Sequence, residues 1–296
     1  MKIWYNGDCR PHDSIQLGLL EQGLHYGTGV FEGIRAYSTP RGPAIFRLPE
    51  HMARLERGAE TLNMTIDRPA MEAAMPALLH ANGLENAYIR PLAFYGGGPL
   101  HLDTHGLETR QAVAVLPWKS HLGEDKEERG VRMIISSMRK NSSRSIPALK
   151  LCGGYVNAII AKLEATRRGF DEALFLDDND NCVEATAENL FMIKDGRVIS
   201  CEHPDALPGI TRDTICALTG AERRTVSIQE LLDADEIFLT GTSAEVAPVT
   251  QIDERRYGIG PLTRQLQATY QDIVHGRDMS FEHWLTYAEP SAIAAK

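Results

Sequence analysis

Lys150 is the first residue whose surroundings could support chemistry. Most lysines are exposed to solvent, but the apolar neighbours Leu149 and Leu151 argue against full exposure of this one. An amine withdrawn from water can attack a carbonyl group. Gly153 and Gly154 follow, and they would let the backbone lie close to a bound molecule. The residues alone leave open whether Lys150 is a reactive amine or a surface lysine.

Two segments in the second half of the chain could bind an anion. Residues 209–220 read GITRDTICALTG and predict a short helix that begins at Gly209. Free N–H groups at a helix start favour a phosphate group, and the hydroxyl of Thr211 can add to them. The segment TGTSAE offers a second hydroxyl at Thr242 and a backbone N–H at Ser243.

Arg54 and two glutamates each allow a functional and an ordinary interpretation. A guanidinium suits bidentate contact with a phosphate, but Arg54 could equally pair with Glu50 on a helix surface. Glu184 and Glu188 lie close together in EATAEN, and most glutamates are solvated. Spacing alone does not choose between these two carboxylates.

Motifs and composition exclude several classes of function. The sequence contains no GxxxxGKS/T, HExxH or GxSxG motif, and its ten histidines show no metal-binding spacing. A net charge of -9 without a long basic run argues against a nucleic-acid partner. No stretch approaches the roughly 18 apolar residues that span a bilayer, and the N-terminus lacks a signal-peptide pattern. The five cysteines form no disulfide or metal pattern, so we expect reduced thiols in a cytoplasmic protein.

The apolar patterns predict an α+β protein, because strands and helices are interspersed without a regular βαβ rhythm. A helix that starts at Pro49 and a strand at residues 87–95 are examples. Residues 154–170 predict an amphipathic helix. The large apolar residues that should face inward on this helix are Val156, Ile159, Ile160 and Leu163.

A charged segment at residues 119–130, without apolar periodicity, is the best candidate for an interdomain linker. We therefore predict a small domain at residues 1–118 and a large domain at residues 131–296.

Three sets of segments, taken together, resemble fold-type IV pyridoxal-phosphate enzymes, and most closely the branched-chain amino acid aminotransferases. Their order and separations match jointly, although no single motif is decisive. The segments are residues 24–37, residues 146–157 with 183–191, and residues 207–213 with 238–249. The resemblance implies a smaller N-terminal α/β domain, a larger C-terminal domain with a mixed, barrel-like sheet, and a homodimer or larger even assembly.

The resemblance also implies roles at the cofactor, pyridoxal 5'-phosphate. Lys150 would form the Schiff base and carry the proton, Tyr155 would bind the ring oxygen, and Glu184 would face the pyridine nitrogen. The residues that would bind the phosphate are Arg54, Gly209, Ile210, Thr211 and Thr242.

A further set of positions matches the family's substrate pocket. Arg90 would accept the distal carboxylate of glutamate or 2-oxoglutarate, and Tyr88 would take the α-carboxylate together with backbone N–H groups. The full set is Tyr26, Phe31, Gly33, Tyr88, Arg90, Trp118, Thr242 and Ser243.

The implied reaction is ping-pong transamination from leucine, isoleucine or valine to 2-oxoglutarate. D-amino acid transamination, 4-amino-4-deoxychorismate lyase chemistry and a non-catalytic cofactor-binding role remain alternatives. Two segments depart from the family pattern. Residues 96–108 do not look like the usual pocket loop, which leaves the preferred amino acid open, and residues 254–266 are shortened before Gly260 and Pro261. Arg144 stands where relatives commonly carry a polar uncharged residue, and it could perturb the site or face solvent.

Overall fold

The computed structural model of the protein describes residues 1–118 and 126–288. The chain forms two compact units. The first contains Met1–Trp118, Leu149–Gly153 and the described residues from Asp272 onward, and the second contains the other described residues. Lys150 thus groups with the first unit, and residues 119–125 of the predicted linker lie outside the described residues. None of the described helices combines the length and apolarity that crossing a bilayer requires.

The strands and helices of the described residues are numbered along the chain. The strands are β1 (Lys2–Tyr5), β2 (Asp8–Pro11), β3 (Gly29–Phe31), β4 (Ile34–Tyr37), β5 (Ala44–Phe46), β6 (Ala87–Tyr95), β7 (Thr109–Pro117), β8 (Val131–Ile135), β9 (Glu172–Leu176), β10 (Cys182–Ala185), β11 (Asn189–Lys194), β12 (Arg197–Cys201), β13 (Glu222–Arg224), β14 (Glu236–Gly241), β15 (Glu245–Ile252), β16 (Arg255–Arg256) and β17 (Leu285–Tyr287). The helices are α1 (Gln22–Tyr26), α2 (Leu48–Thr61), α3 (Arg68–Asn82), α4 (Lys126–Arg129), α5 (Tyr155–Arg167), α6 (Ile210–Thr219), α7 (Ile228–Leu232) and α8 (Pro261–Val274). Short 3-10 turns lie at His12–Ser14, Cys152–Gly154 and Met279–Trp284.

The first unit is built on an antiparallel sheet in the order β17-β5-β4-β6-β7-β1-β2, with β3 also paired to β6. The turn at Asn6 and Gly7 joins β1 to β2, and both residues have the positive φ that a tight hairpin turn requires. The predicted strand β6 alternates buried and half-buried residues along its whole length. Helix α2 buries Met52, Leu55 and Ala59 on one face, as its apolar spacing predicts.

The second unit is built on a mixed sheet in the order β10-β9-β8-β15-β14-β11-β12-β13, with β16 paired to β15. Strand β8 is parallel to both β9 and β15, and β12 is parallel to β13. The hairpin turn at Asp195 and Gly196 joins β11 to β12, again with positive φ at both residues. The hydrophobic core of the second unit includes Leu190, Met192 and Leu239.

The predicted inward face of α5 is wrong. Small residues form the buried face of this helix, namely Ala158, Ala161 and Ala165, and they pack in one cluster with Phe175 of β9. Alanine lets a helix backbone approach a sheet closely, so the larger residues turn outward. These residues form what we call the α5 apolar face: Val156, Ile159, Ile160 and Leu163, which are 57%, 56%, 44% and 48% exposed.

Candidate active site

Lys150 is held in the first unit by the segment that follows α1. The backbone N–H of Phe31 donates to the carbonyl of Lys150 at 3.1 Å, and the N–H of Gly153 donates to the carbonyl of Gly27 at 3.0 Å. A Cβ on Gly27, which has a φ of +65°, would overlap the backbone of Gly153. Glycine at residue 27 is therefore needed where the two segments cross.

Lys150 is half-buried, and its amine lies 5.1 Å from the centroid of the Phe31 ring. Burial is the main reason why the pKa of Lys150 falls from 10.5 to about 8. The negative charge of Glu32 opposes this shift, and the positive charge of Arg54 adds to it. A lysine with such a pKa is partly neutral near neutral pH, and only the neutral amine is a nucleophile.

A buried ion pair lies close to this amine. The carboxylate of Glu32 is fully buried and accepts from Arg54 Nε at 2.6 Å and from Arg54 Nη2 at 2.9 Å. His51, one helical turn before Arg54, places its Nδ1 2.8 Å from Glu32 Oε2. Burial would raise the pKa of Glu32, but Arg54 and His51 together hold it well below its usual range. Burial lowers the pKa of His51, so a neutral ring donates to the charged carboxylate.

The ordinary interpretation of Arg54 is excluded by this geometry. Glu50 pairs with Arg47 at 2.5 Å, whereas Arg54 pairs with Glu32, 22 residues earlier. Sequence reasoning missed the roles of Glu32 and His51. The spacing of His51 and Arg54 on one helix face was the available signal.

Five residues predicted for the substrate pocket lie together in the first unit. The rings of Tyr88 and Trp118 stack at 6.1 Å, and Arg90 Nη2 donates to the Tyr88 hydroxyl at 2.8 Å. The Arg90 guanidinium lies 4.6 Å from the Phe31 ring centroid, and a Cβ on Gly33 would overlap the Tyr88 hydroxyl. Among the described residues, the buried Nε of Arg90 has no hydrogen-bond partner. This cluster also contains Arg35, whose guanidinium lies 3.6 Å from the centroid of the Trp118 ring.

Tyr26, the sixth pocket residue of the first unit, contacts the atypical loop at residues 96–108 instead. It is 43% exposed, and its hydroxyl donates to the carbonyl of Leu100 at 3.2 Å. The same loop bonds to α1 through the N–H of Gln22, which donates to the carbonyl of Gly96 at 3.1 Å. The atypical loop therefore positions Tyr26.

Glu184 is fixed in the second unit by several donors. Lys140 Nζ lies 2.7 Å from its Oε1, while the N–H of Leu207 and Asn189 Nδ2 donate to its Oε2 at 2.9 and 3.2 Å. Glu188 is also buried, but it lies near a second buried carboxylate, Glu172, whose pKa is raised mainly by burial and further by the charge of Glu188. The two candidates thus differ in their surroundings. Sequence reasoning missed Lys140 and Asn189 as partners of Glu184.

The two predicted anion-binding segments also lie in the second unit. Helix α6 begins at Ile210, and the extended residue Gly209 before it offers no side chain to cap the first N–H groups. Ile210 and Thr211 in this first turn are buried. Thr242 and Ser243 are half-buried in the turn between β14 and β15. Tyr155, the first residue of α5, is partly buried against the alanine face of that helix.

The sequence matches one family model and many curated proteins. A model described as "Amino-transferase class IV" matches residues 29–252. A branched-chain-amino-acid aminotransferase of Pseudomonas aeruginosa is 39% identical over 295 residues, which cover 96% of each chain. A protein of the same name from Escherichia coli K12 is 36% identical, also over 96% of each chain.

Solved structures agree with the sequence matches. The Escherichia coli branched-chain amino acid aminotransferase superposes with a TM-score of 0.93 at 34% identity, over 97% of this chain and 99% of the other. A branched-chain amino acid aminotransferase of Thermobaculum terrenum, solved in its PLP form, gives a TM-score of 0.89 at 31% identity, over 98% of each chain.

Proposed function

This chain belongs to the class IV aminotransferase family, and we propose that it moves the amino group of leucine, isoleucine or valine to 2-oxoglutarate by a ping-pong reaction. The family that the sequence resembles and the α+β fold that it predicts are confirmed. The proposed substrates are supported by the names of relatives at 35–39% identity. The observation that carries the proposal is the Lys150 amine, whose pKa is lowered to about 8.

The residues present fit pyridoxal 5'-phosphate. They include an amine of lowered pKa at Lys150, a carboxylate held by three donors at Glu184, and an uncapped helix start at Gly209. These groups suit an aldehyde, a pyridine nitrogen and a phosphate respectively. When bound, the cofactor supplies a ring that withdraws electrons and so stabilises negative charge at the substrate Cα.

Each chain residue then has a defined task. Lys150 would hold the cofactor covalently, and its amine would carry the proton at the substrate Cα. Glu184 would hold the ring nitrogen, and Tyr155 would donate to the ring oxygen. The residues assigned to the phosphate are Arg54, Gly209, Ile210, Thr211 and Thr242.

The substrate is recognised by an aromatic cluster that carries one cation. Phe31, Tyr88 and Trp118 offer apolar surface to a branched side chain. Gly33 leaves the space that the Tyr88 hydroxyl occupies. The buried Nε of Arg90, which has no hydrogen-bond partner among the described residues, suits the distal carboxylate of 2-oxoglutarate. The remaining contacts are assigned to Tyr26 and to the backbone of Thr242 and Ser243.

The α5 apolar face supports a homodimer or a larger even assembly. Its four large apolar residues are between 44% and 57% exposed, and such contiguous apolar surface usually marks an interface. The proposed partners are otherwise small molecules, namely amino acids and 2-oxo acids. The proposed cytoplasmic location rests on the five cysteines, which are all free thiols, as in reducing compartments.

Two measurements test the proposed function. Borohydride reduction of the cofactor-loaded protein should attach the cofactor permanently to Lys150, as shown by peptide mapping. Attachment to another residue would contradict the proposal. The loaded protein should also exchange amino groups with L-leucine, L-isoleucine and L-valine but not with D-alanine, as followed by cofactor absorbance. Pyruvate release without an amino acceptor would instead indicate the lyase reaction.

A further inference from the structure

Asn189 is a buried residue at the start of β11 whose side chain contacts two parts of the second unit. Its Nδ2 donates to Glu184 Oε2 at 3.2 Å and to the carbonyl of Leu207 at 2.9 Å. The N–H of Leu207 donates to the same carboxylate oxygen at 2.9 Å. Asn189, Glu184 and Leu207 therefore form a closed set of hydrogen bonds.

The same side chain also packs against the residue that starts α6. A Cβ on Gly209 would overlap the amide oxygen of Asn189, so only glycine fits beside it. The backbone of Asn189 pairs with Thr240 of β14, two residues before Thr242. Asn189 thus contacts both the Glu184 carboxylate and the start of α6. Its partner on β14, Thr240, lies just before the turn that contains Thr242.

We infer that Asn189 is a positioning residue that holds Glu184 and the loop at residues 207–209 in one fixed arrangement, so that the ring and the phosphate of the cofactor are bound together. This inference rests on the proposed function, which assigns the ring nitrogen to Glu184 and the phosphate to the start of α6.

The chemistry of the amide explains why asparagine suits this position. One amide nitrogen carries two N–H donors, and here each bonds to a different acceptor. An aspartate has nearly the same shape but lacks both donors and adds a negative charge beside Glu184. Since Asn189 is 4% exposed, water cannot readily replace the lost bonds.

The inference is tested by comparing two ligands of the cofactor-free protein. Pyridoxal 5'-phosphate and pyridoxal differ in covalent structure only by the phosphate, so the Kd of pyridoxal divided by the Kd of pyridoxal 5'-phosphate measures phosphate recognition. We expect Asn189→Ala and Asn189→Asp each to reduce this ratio roughly tenfold, about the effect of one hydrogen bond. Asn181→Ala is the matched control, because it removes another asparagine–carboxylate bond of the same unit, from Asn181 Nδ2 to Asp177 at 2.9 Å. It should leave the ratio unchanged.

A second measurement tests the link to the ring. Glu184→Gln should weaken pyridoxal binding less in the Asn189→Ala background than in the wild type, because the carboxylate is already displaced there. Strict additivity of the two losses would overturn the inference. So would an Asn189 variant that weakens both ligands equally.

The controls separate this inference from the proposed function. If the wild type bound both ligands equally, or if borohydride did not label Lys150, the proposed function and the inference would fall together. If the wild type preferred pyridoxal 5'-phosphate to pyridoxal and was labelled at Lys150, but the Asn189 variants had the same Kd ratio as the wild type, the inference alone would fall. Loss of folding in both variants, shown by circular dichroism, would make Asn189 a structural residue and also overturn it.

Discussion

Lys150 and Glu184 are placed by different means in the two units. Around Lys150 the neighbours are charged or aromatic, with the Phe31 ring beside the amine and the charges of Glu32 and Arg54 acting on it. Around Glu184 one cation, Lys140, is joined by a backbone N–H and an amide. The first region therefore depends on buried charge, and the second depends on several directed hydrogen bonds.

This difference sets how each region should respond to substitution. Removing one member of a buried ion pair leaves the other charge uncompensated, which costs about 3–5 kcal/mol. Removing one of several hydrogen bonds costs about 1 kcal/mol, because the remaining bonds still hold the group. Single changes near Lys150 should therefore have larger effects than single changes near Glu184.

The largest effect is expected from Lys150→Met, which keeps the chain length and removes the amine. Transamination should fall by more than about 1,000-fold, since the proposed covalent attachment and proton transfer are both lost. Without cofactor, the variant should nevertheless melt at a higher temperature than the wild type at pH 7. Folding lowers the pKa of Lys150 from 10.5 to about 8, so the charged lysine of the wild type destabilises the folded state at this pH. This gain should shrink as the pH rises from 8 to 10.5, where the folded wild-type protein has already lost the proton.

Lys140→Met provides the comparison in the other region. It should reduce activity much less and should lower the melting temperature, because Glu184 loses its charged partner at 2.7 Å. Equal losses of activity in the two variants would contradict the different roles assigned to these lysines.

The next effect is on stability. Glu32→Gln should lower the free energy of unfolding by about 3–5 kcal/mol at pH 7, as measured in urea, because the buried ion pair with Arg54 is broken. Glu72→Gln removes a half-exposed partner of Arg68 and should cost less than about 1 kcal/mol. Since the pKa of Glu32 is lowered on folding, the wild-type advantage should be present above the unfolded pKa and disappear as the pH falls toward the folded pKa. A wild-type advantage that persisted at very low pH would contradict an ion pair.

A smaller effect, on substrate binding, is expected from Gly33→Ala. The added methyl group would overlap the Tyr88 hydroxyl, so the cluster must shift. We expect KM for both substrates to rise roughly tenfold with a smaller change in kcat. Tyr88→Phe removes the obstructing oxygen and should partly rescue the Gly33→Ala variant. The matched control is Gly18→Ala, where an added Cβ meets only ordinary contacts. Absence of rescue would show that the overlap with the hydroxyl is not the cause.

Local features of the fold could be predicted from the sequence. The hairpins at residues 6–7 and 195–196 follow from turn residues that tolerate positive φ. Strand β6 and helix α2 follow from apolar periodicity. Only neighbouring residues determine these features, so no tertiary information is needed.

Long-range pairings could not be predicted in the same way. The partner of Arg54 is 22 residues away and that of Lys140 is Glu184, and no local spacing marks either pair. The face of α5 was misjudged because hydrophobicity alone does not separate a buried face from an exposed one. Alanines pack against β9, whereas the larger residues stay outside.

The smallest effect concerns the pH dependence of cofactor attachment. Only the neutral Lys150 amine attacks, and its pKa is about 8, so the attachment rate should rise about fourfold between pH 7.5 and 9.5 and then level off. Stopped-flow absorbance of the cofactor-free protein mixed with pyridoxal 5'-phosphate measures this rate. Because the charge of Glu32 raises the pKa of Lys150, Glu32→Gln should move the midpoint to lower pH, whereas Glu184→Gln should leave it in place. A midpoint near 10.5, or an equal shift in both variants, would show that buried charge does not set the reactivity of this amine.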